Sequence, residues 1–144
     1  MNDESDSPTV VLSNRQDLPI DEDGLVDLAR RTLAAEGHGS VELSVSLVSR
    51  DEMADLHRRY ASERGPTDVL SFPQDEAPQD GHRRLLGDVV ICPAVAAEQG
   101  SDPRAELRLL LVHGILHLLG YDHQEEEDRR AMWERQERYS GVRA

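Results

Sequence analysis

Lysine is absent from this chain of 144 residues: all sixteen basic residues are arginine, against 29 acidic ones, and the formal net charge is −13. A protein that holds nucleic acid by neutralising phosphates usually presents a basic face. Much of the acid falls in the first 23 residues and in the run QEEED at 124–128. The net charge therefore counts against nucleic-acid binding, although a local cluster of arginines could still serve one site.

Cysteine occurs once, as Cys92, so no internal disulfide can form, which is consistent with a reducing compartment. No run approaches the roughly 18 apolar residues that would indicate a membrane span. The N-terminal MNDESDSPT is acidic and lacks the basic start and apolar stretch of a secretory signal. We therefore expect a cytoplasmic protein with no membrane association.

The length of the chain suits one domain with one hydrophobic core. Apolar periodicity and capping residues predict strands at 9–12, 40–48, 68–72 and 85–92, and helices at 21–35, 50–60, 93–99, 103–119 and 124–139. Because strands and helices are intermixed, we predict an α+β or α/β class with one sheet. Residues 1–144 are expected to form a single domain, in which residues 1–7 are a flexible arm.

The segment HGILHLLGYDH at 113–123 carries the strongest indication of chemistry. On a helix, His113 and His117 share one face, so their ring nitrogens can converge on one ion at roughly 2.0–2.1 Å each. Gly120 permits a left-handed turn that carries His123 back toward the same ion. Three neutral nitrogen donors with an open fourth position are typical of catalytic zinc. We therefore predict one zinc ion per chain at these three histidines.

A less specific interpretation of the histidines is that they are satisfied core residues, as a single histidine on an apolar helix usually is. Here, however, half of the six histidines fall within eleven residues, around a glycine and among many leucines. Burying two imidazoles in such surroundings without a partner would be costly. The metal site is therefore the favoured interpretation, whereas His57 and His82 are expected at the surface.

The spacing HxxxHxxGxxH is that of the metzincin peptidases, which are written HExxHxxGxxH. Their glutamate after the first histidine is the general base that takes a proton from zinc-bound water. In this chain that position is Gly114. Peptide hydrolysis by that mechanism is therefore not expected, although the zincin-like metal helix remains.

Three blocks of the sequence resemble the YbeY family of bacterial rRNA maturation factors, which are regarded as metal-dependent endoribonucleases. They are GPTDVLSFP at 65–73, LLGDVVICP at 85–93 and LLVHGILHLLGYDH at 110–123. With the matching order of elements, the resemblance covers nearly all of the chain. It implies an α+β fold in which helices flank a central mixed four-stranded sheet, and it implies that the three histidines are the zinc ligands.

The resemblance also implies a zinc-dependent, single-strand-specific endoribonuclease that acts on precursor ribosomal RNA. The implied roles are 3′-end maturation of the small-subunit rRNA and ribosome quality control, with the ribosome or ribosomal proteins as partners and a monomeric chain. Two alternatives stay open: a non-catalytic ribosome-assembly factor with structural zinc, and a metal-dependent peptidase or amidase with an unconventional base.

One departure from the family concerns an arginine. Many members place it directly after the aromatic residue that ends the second helix, whereas Ala61 follows Tyr60 here. Arg58, Arg59 or Arg64 could supply the cation from a neighbouring position. Equally, the first two of these could be an ordinary solvated helix face.

The remaining candidate residues are assigned as follows. Arg59 and Asp122 are candidate catalytic residues, the latter orienting an imidazole or moving a proton. Asp122 could equally be a turn residue that satisfies backbone amides. Arg58, Arg64 and Arg84 are candidate substrate-binding residues.

Overall fold

The computed structural model describes residues 7–60, 69–73, 84–99, 102–121 and 126–141. All predicted elements are present, with each boundary within two residues of the prediction. Except for Ser7, the predicted N-terminal arm lies outside the described residues. In chain order the elements are β1 (Thr9–Asn14), α1 (Glu22–Ala35), β2 (Val41–Leu47), α2 (Arg50–Tyr60), β3 (Val69–Pro73), β4 (Arg84–Ile91), α3 (Pro93–Gln99), α4 (Pro103–Leu118) and α5 (Glu126–Ser140).

The four strands form one mixed sheet in the order β1-β2-β4-β3. Strands β1, β2 and β4 are parallel, and β3 pairs with β4 in the antiparallel direction at one edge. A parallel pair needs a crossover connection, which α1 provides between β1 and β2. The α+β class and the mixed four-stranded sheet implied by the resemblance are therefore confirmed.

The larger hydrophobic core lies between one face of the sheet and helices α1, α4 and α5. Its strand members are mostly alternate residues, because successive side chains of a strand point to opposite faces. In β2 and β4 they include Val41, Leu43, Val45, Leu47, Val89 and Ile91. A smaller cluster on the other face joins Val90 to Met53 of α2. Helices α2 and α4 therefore lie on opposite faces of the sheet.

Helix α4 begins with a well-formed cap. The carboxylate of Asp102 accepts hydrogen bonds from the backbone N–H groups of Arg104 at 3.1 Å and Ala105 at 3.3 Å. Pro103 occupies the first turn, where its missing N–H has no intrahelical partner to lose. Among the described residues, no helix has both the length and the apolar character needed to cross a membrane.

Helix α4 rests directly on strands β3 and β4 at Gly114. A Cβ atom at this position would lie 2.8 Å from Cγ1 of Val89, 3.3 Å from Oγ of Ser71 and 3.3 Å from Cγ2 of Val69. The Ser71 hydroxyl also donates a hydrogen bond of 3.1 Å to the Gly114 carbonyl. Position 114 therefore faces the sheet, and any side chain there would push the helix away from it.

The turn that ends α4 forms as the sequence predicts. Gly120 has a φ of +104°, in the region that favours glycine. Its N–H donates to the His117 carbonyl and that of Tyr121 to the Leu116 carbonyl, both at 3.1 Å. These two bonds define a Schellman motif, which satisfies the last carbonyls of the helix and reverses the chain.

A single carboxylate fastens this turn to the rest of the molecule. Glu36, directly after α1, accepts hydrogen bonds from the hydroxyls of Tyr121, at 2.7 Å, and Tyr139, and from Nε of Arg135 at 3.2 Å. The Arg135 guanidinium also lies 5.2 Å from the centroid of the Tyr121 ring, within cation–π range. Glu36 therefore connects the end of α1, the turn after α4 and helix α5.

The ionisation of these groups reflects their contacts. Burial acts to raise the pKa of Glu36, but the hydrogen bonds from both tyrosines and the charge of Arg135 outweigh it and lower the pKa overall. Burial and the adjacent carboxylate raise the pKa of Tyr121 to about 12, and they also raise the pKa of Tyr139. The network is therefore built for an ionised Glu36 and two neutral phenols.

We predict that Gly114→Ala lowers the free energy of unfolding by about 1 kcal/mol. Overpacking of a core typically costs about 1–3 kcal/mol. From the middle of that range, about 2 kcal/mol, the roughly 1 kcal/mol that alanine gains over glycine within a helix is subtracted, which leaves about 1 kcal/mol. Urea denaturation of the two proteins measures the difference.

The control for this prediction is the same substitution in a Val89→Ala background. Removing Cγ1 of Val89, the nearest atom, opens space for the new methyl group, so the cost of Gly114→Ala should shrink or reverse sign. An equal cost in both backgrounds would contradict the proposed contact.

We also predict that stability falls as the pH rises from 10 to 12. Burial and the Glu36 carboxylate raise the pKa of Tyr121 to about 12 from its ordinary 10.0, so folding favours the neutral phenol. Its contribution is complete below pH 10 and is lost as the pH rises through 12. Urea denaturation at a series of pH values measures this loss, which should be smaller in Tyr121→Phe. An identical pH profile for both proteins would rule out this role.

Candidate functional site

The two histidines of α4 lie on the same face of the helix, one turn apart. Their ring centroids are 6.5 Å apart, and their ring planes are within 4° of parallel. His113 is half-buried beneath α5, whereas His117 is exposed close to the end of the helix. This is the arrangement that the four-residue spacing predicts.

A buried amide orients the first of these imidazoles. Nδ1 of His113 lies 2.6 Å from Oε1 of Gln136, and this residue of α5 is only 3% exposed. Because an amide oxygen can only accept, Nδ1 carries the proton and Nε2 carries the lone pair. Metal-binding histidines are usually held in this way, with the second ring nitrogen fixed by a hydrogen bond.

No sequence motif identifies Gln136 in advance. The one feature that could have drawn attention to Gln136 is its position, one turn after Met132, on the side of α5 that is buried. Met132 itself is 2% exposed. A buried amide requires a hydrogen-bond partner, but the sequence does not specify which one. The partner becomes apparent only when α5 is packed against α4.

Three of the candidate residues lie outside the described part of the chain. They are the third predicted ligand His123, the candidate Asp122 and the candidate Arg64. Within the described ranges, no three histidine, cysteine, aspartate or glutamate side chains are close enough together to hold an ion. The structure therefore describes the positions of His113 and His117, and the assignment of all three histidines as metal ligands stays a prediction.

The position of the metzincin base has a geometric explanation. Gly114 is buried and faces Val89 and Ser71, so a glutamate there would be directed into strands β3 and β4. A carboxylate at position 114 could not reach the histidine face unless the helix moved off the sheet. The base of a metallopeptidase is thus excluded from this position by packing as well as by residue type.

Cys92 bears on the alternative of a structural zinc ion, which would need a fourth protein ligand. Its side chain is completely buried in the smaller cluster, with Val48, Met53 and Val90. The only thiol of the chain therefore packs with α2 and does not join the histidines in a three-donor group within the described residues.

The candidate arginines of α2 share one partner. Arg58 and Arg59 each lie 3.2 Å from a carboxylate oxygen of Asp55, and their side chains are 73% and 64% exposed. Exposed pairs of this kind contribute about 1 kcal/mol or less. Both arginines belong to α2, which lies on the face of the sheet opposite the histidine helix. The side chain of Arg84 lies outside the described part of β4.

His57 is half-buried, so the prediction that it lies at the surface is wrong. Its Nε2 is enclosed and has no hydrogen-bond partner among the described residues. The helical position of His57, one turn after Met53, brings it toward the sheet rather than toward solvent.

Comparison with known proteins agrees with the fold and the motif. The family described as Endoribonuclease YbeY matches residues 8–141. The endoribonuclease YbeY of Acidothermus cellulolyticus is 49% identical over 139 residues, covering 87% of this chain and 85% of that protein. The protein of the same name from Thermobifida fusca is 49% identical over 135 residues and covers 87% of both chains.

A solved structure shares the fold. The solution structure of the Thermotoga maritima protein TM1509 superposes with a TM-score of 0.59 at 29% sequence identity, covering 92% of this chain and 87% of that one. The family match spans every helix and strand of the described residues, including the histidine helix, and the relatives are close to half identical. The chain therefore belongs to the YbeY endoribonuclease family.

Proposed function

We propose that this protein is a metal-dependent endoribonuclease that hydrolyses phosphodiester bonds in single-stranded RNA. One zinc ion would be held by His113, His117 and His123. The observation that carries the proposal is the geometry of α4, where two imidazoles share a face and the buried amide of Gln136 orients the first. The endoribonuclease name of its relatives supports the same reaction class.

The residues present suit such an ion. The Nδ1–H of His113 is engaged by Gln136, so its lone pair lies on Nε2, where a cation can be bound. The Schellman turn at Gly120 is held by Glu36 through the Tyr121 hydroxyl, so the end of the histidine helix has a fixed position. Polarisation of a phosphate oxygen and activation of water are the chemistry that a bound zinc ion supplies.

RNA also offers a second route, in which its own 2′-hydroxyl is the nucleophile. On this route the hydroxyl gives up its proton and attacks the neighbouring phosphate, a 2′,3′-cyclic phosphate forms and the 5′-oxygen of the next nucleotide leaves. No carboxylate at position 114 is needed to activate a water molecule for this step. Asp122, beside the third ligand, is our candidate for orienting an imidazole or moving a proton. Arg59 is the candidate cation for the developing negative charge, and Arg58, Arg64 and Arg84 are the candidates for holding the RNA.

In the cell we propose that precursor ribosomal RNA is the substrate. The proposed roles are 3′-end maturation of the small-subunit rRNA and ribosome quality control, carried out in the cytoplasm by a monomer that meets the ribosome or its proteins. With a net charge of −13, contacts to RNA would rely on single arginines and on base contacts rather than on a broad basic surface.

We predict that the double variant His113→Ala and His117→Ala loses both bound zinc and RNA cleavage. Removing two of three nitrogen donors leaves no site for the ion. Elemental analysis of purified protein gives the metal content, and cleavage of a structured RNA with single-stranded regions is followed before and after chelation. Casein, supplied in parallel, tests the peptidase alternative.

His57→Ala is the control, because it removes a histidine from a helix on the opposite face of the sheet. It should retain both zinc and cleavage. An undiminished cleavage rate in the metal-free double variant would refute the proposed mechanism, whereas cleavage of casein in place of RNA would favour the peptidase.

We further predict that Gln136→Leu lowers zinc affinity by about 10- to 100-fold, the usual effect of losing a group that orients a metal ligand. Leucine has a similar volume but cannot accept the hydrogen bond from Nδ1–H of His113. Competition against a chromophoric chelator measures the dissociation constant without reference to catalysis. Gln136→Glu, which keeps an acceptor oxygen, should retain more of the affinity, and equal affinities in the leucine variant and the unmodified protein would disprove the role.

A further inference from the structure

A cavity of about 260 Å³ opens beside His113, between α4 and α5. Its other lining residues are Arg129, Met132, Trp133 and Gln136 of α5. These four are spaced i, i+3, i+4 and i+7, so they form one face of the helix. Met132 and Gln136, at 2% and 3% exposure, are its buried members, whereas Trp133 and Arg129 are exposed at the rim.

Trp133 is the feature of this cavity that packing does not explain. It is the only tryptophan of the chain, and 45% of its surface is exposed. Tryptophan is highly buried on average in folded proteins, because its ring brings more apolar area to a core than other side chains. An open indole next to a half-buried histidine and a guanidinium is instead the composition of a binding surface.

We propose that this cavity binds one base of the RNA substrate, stacked on the indole of Trp133, with Arg129 at the adjoining phosphate. The inference rests on the proposed function and names the part of the substrate that the site beside His113 recognises. Single-stranded RNA is typically bound through unstacked bases on aromatic rings and guanidinium planes. The volume is below the roughly 300 Å³ at which drug-sized pockets begin, which suits a single planar ring system.

The charges around the cavity favour the same occupant. Arg129 is exposed at the rim, where its guanidinium can face a ligand. The side-chain oxygen of Gln136 accepts the hydrogen bond from His113, and its NH₂ group has two further hydrogen-bond donors. These donors can form hydrogen bonds with the polar edge of a base. Lysine is absent and the net charge is −13, so the chain lacks the charge for a broad basic surface. Stacking of a base on an aromatic ring can contribute to RNA affinity without such a surface.

The single tryptophan makes the proposal directly measurable, since all indole fluorescence of the chain comes from the cavity. The full-length protein is titrated with a 2′-O-methyl oligoadenylate, which lacks the 2′-hydroxyl nucleophile, and with an abasic oligomer of the same length. We expect the oligoadenylate to quench the fluorescence and the abasic oligomer to leave it nearly unchanged. Equal quenching by both would indicate contact with phosphate alone and would overturn the proposal.

Variants test the two rim residues separately, with binding followed by the anisotropy of labelled RNA. Trp133→Leu should weaken binding about 5-fold or more, the lower end of what a base–aromatic stack contributes, and Trp133→Phe should restore part of the loss. Arg129→Gln should weaken binding, whereas Arg138→Gln, the same change on the same helix outside the cavity, should not. Unchanged affinity in Trp133→Leu would overturn the proposal.

The same variants separate this inference from the proposed function. If RNA quenches Trp133 but is never cleaved, the nuclease proposal fails and the base site stands. If RNA is cleaved with an unaltered KM in Trp133→Leu, the nuclease proposal stands and the base site fails. The expected result in active protein is a raised KM with little change in kcat.

Discussion

The contact between α4 and the sheet at Gly114 decides which way the histidine helix faces. Strands β3 and β4 approach so closely that a single methyl group would meet Val89 at 2.8 Å. With this side of the helix against the sheet, His113 and His117 are presented toward α5 and solvent. The same contact leaves no room at position 114 for the glutamate that acts as the base in metzincins. The close packing at Gly114 therefore affects both the orientation of the helix and the chemistry available to the site.

Helix α5 supplies side chains that hold His113 and the turn after α4 in position. Its Gln136 engages Nδ1 of His113, and its Tyr139 and Arg135 join Tyr121 in binding the carboxylate of Glu36. The amide of Gln136 thereby holds His113, and the hydrogen bonds to Glu36 hold the turn that follows α4. Tertiary contacts therefore fix the position of the His113 ring and of the turn after α4, as a precise binding geometry usually requires.

The sequence predicts the elements well because their periodicity is local. Strand β2 alternates from Val41 to Leu47, and α4 begins after a capping aspartate and ends two residues before Gly120, so neighbouring residues alone define both. The spacing of His113 and His117 is likewise a local pattern, and the structure places both on one face. The supporting contacts are different, since Tyr139 and Glu36 are 103 positions apart and Gln136 is 23 positions from His113. Nothing in either segment alone indicates that the two will meet, and the same holds for the exposure of His57.

The position of the histidines near the C-terminal end of α4 has an electrostatic consequence. Aligned peptide dipoles give the end of a helix a partial negative charge of about half an elementary unit, within its last turn. His117 lies one residue before the last residue of the helix, so this field falls on the imidazole face. Such a field attracts a cation and repels a phosphate. For the function proposed above, this end of α4 therefore favours the cation, and the phosphate of an RNA strand would gain a favourable charge there only once that cation is bound.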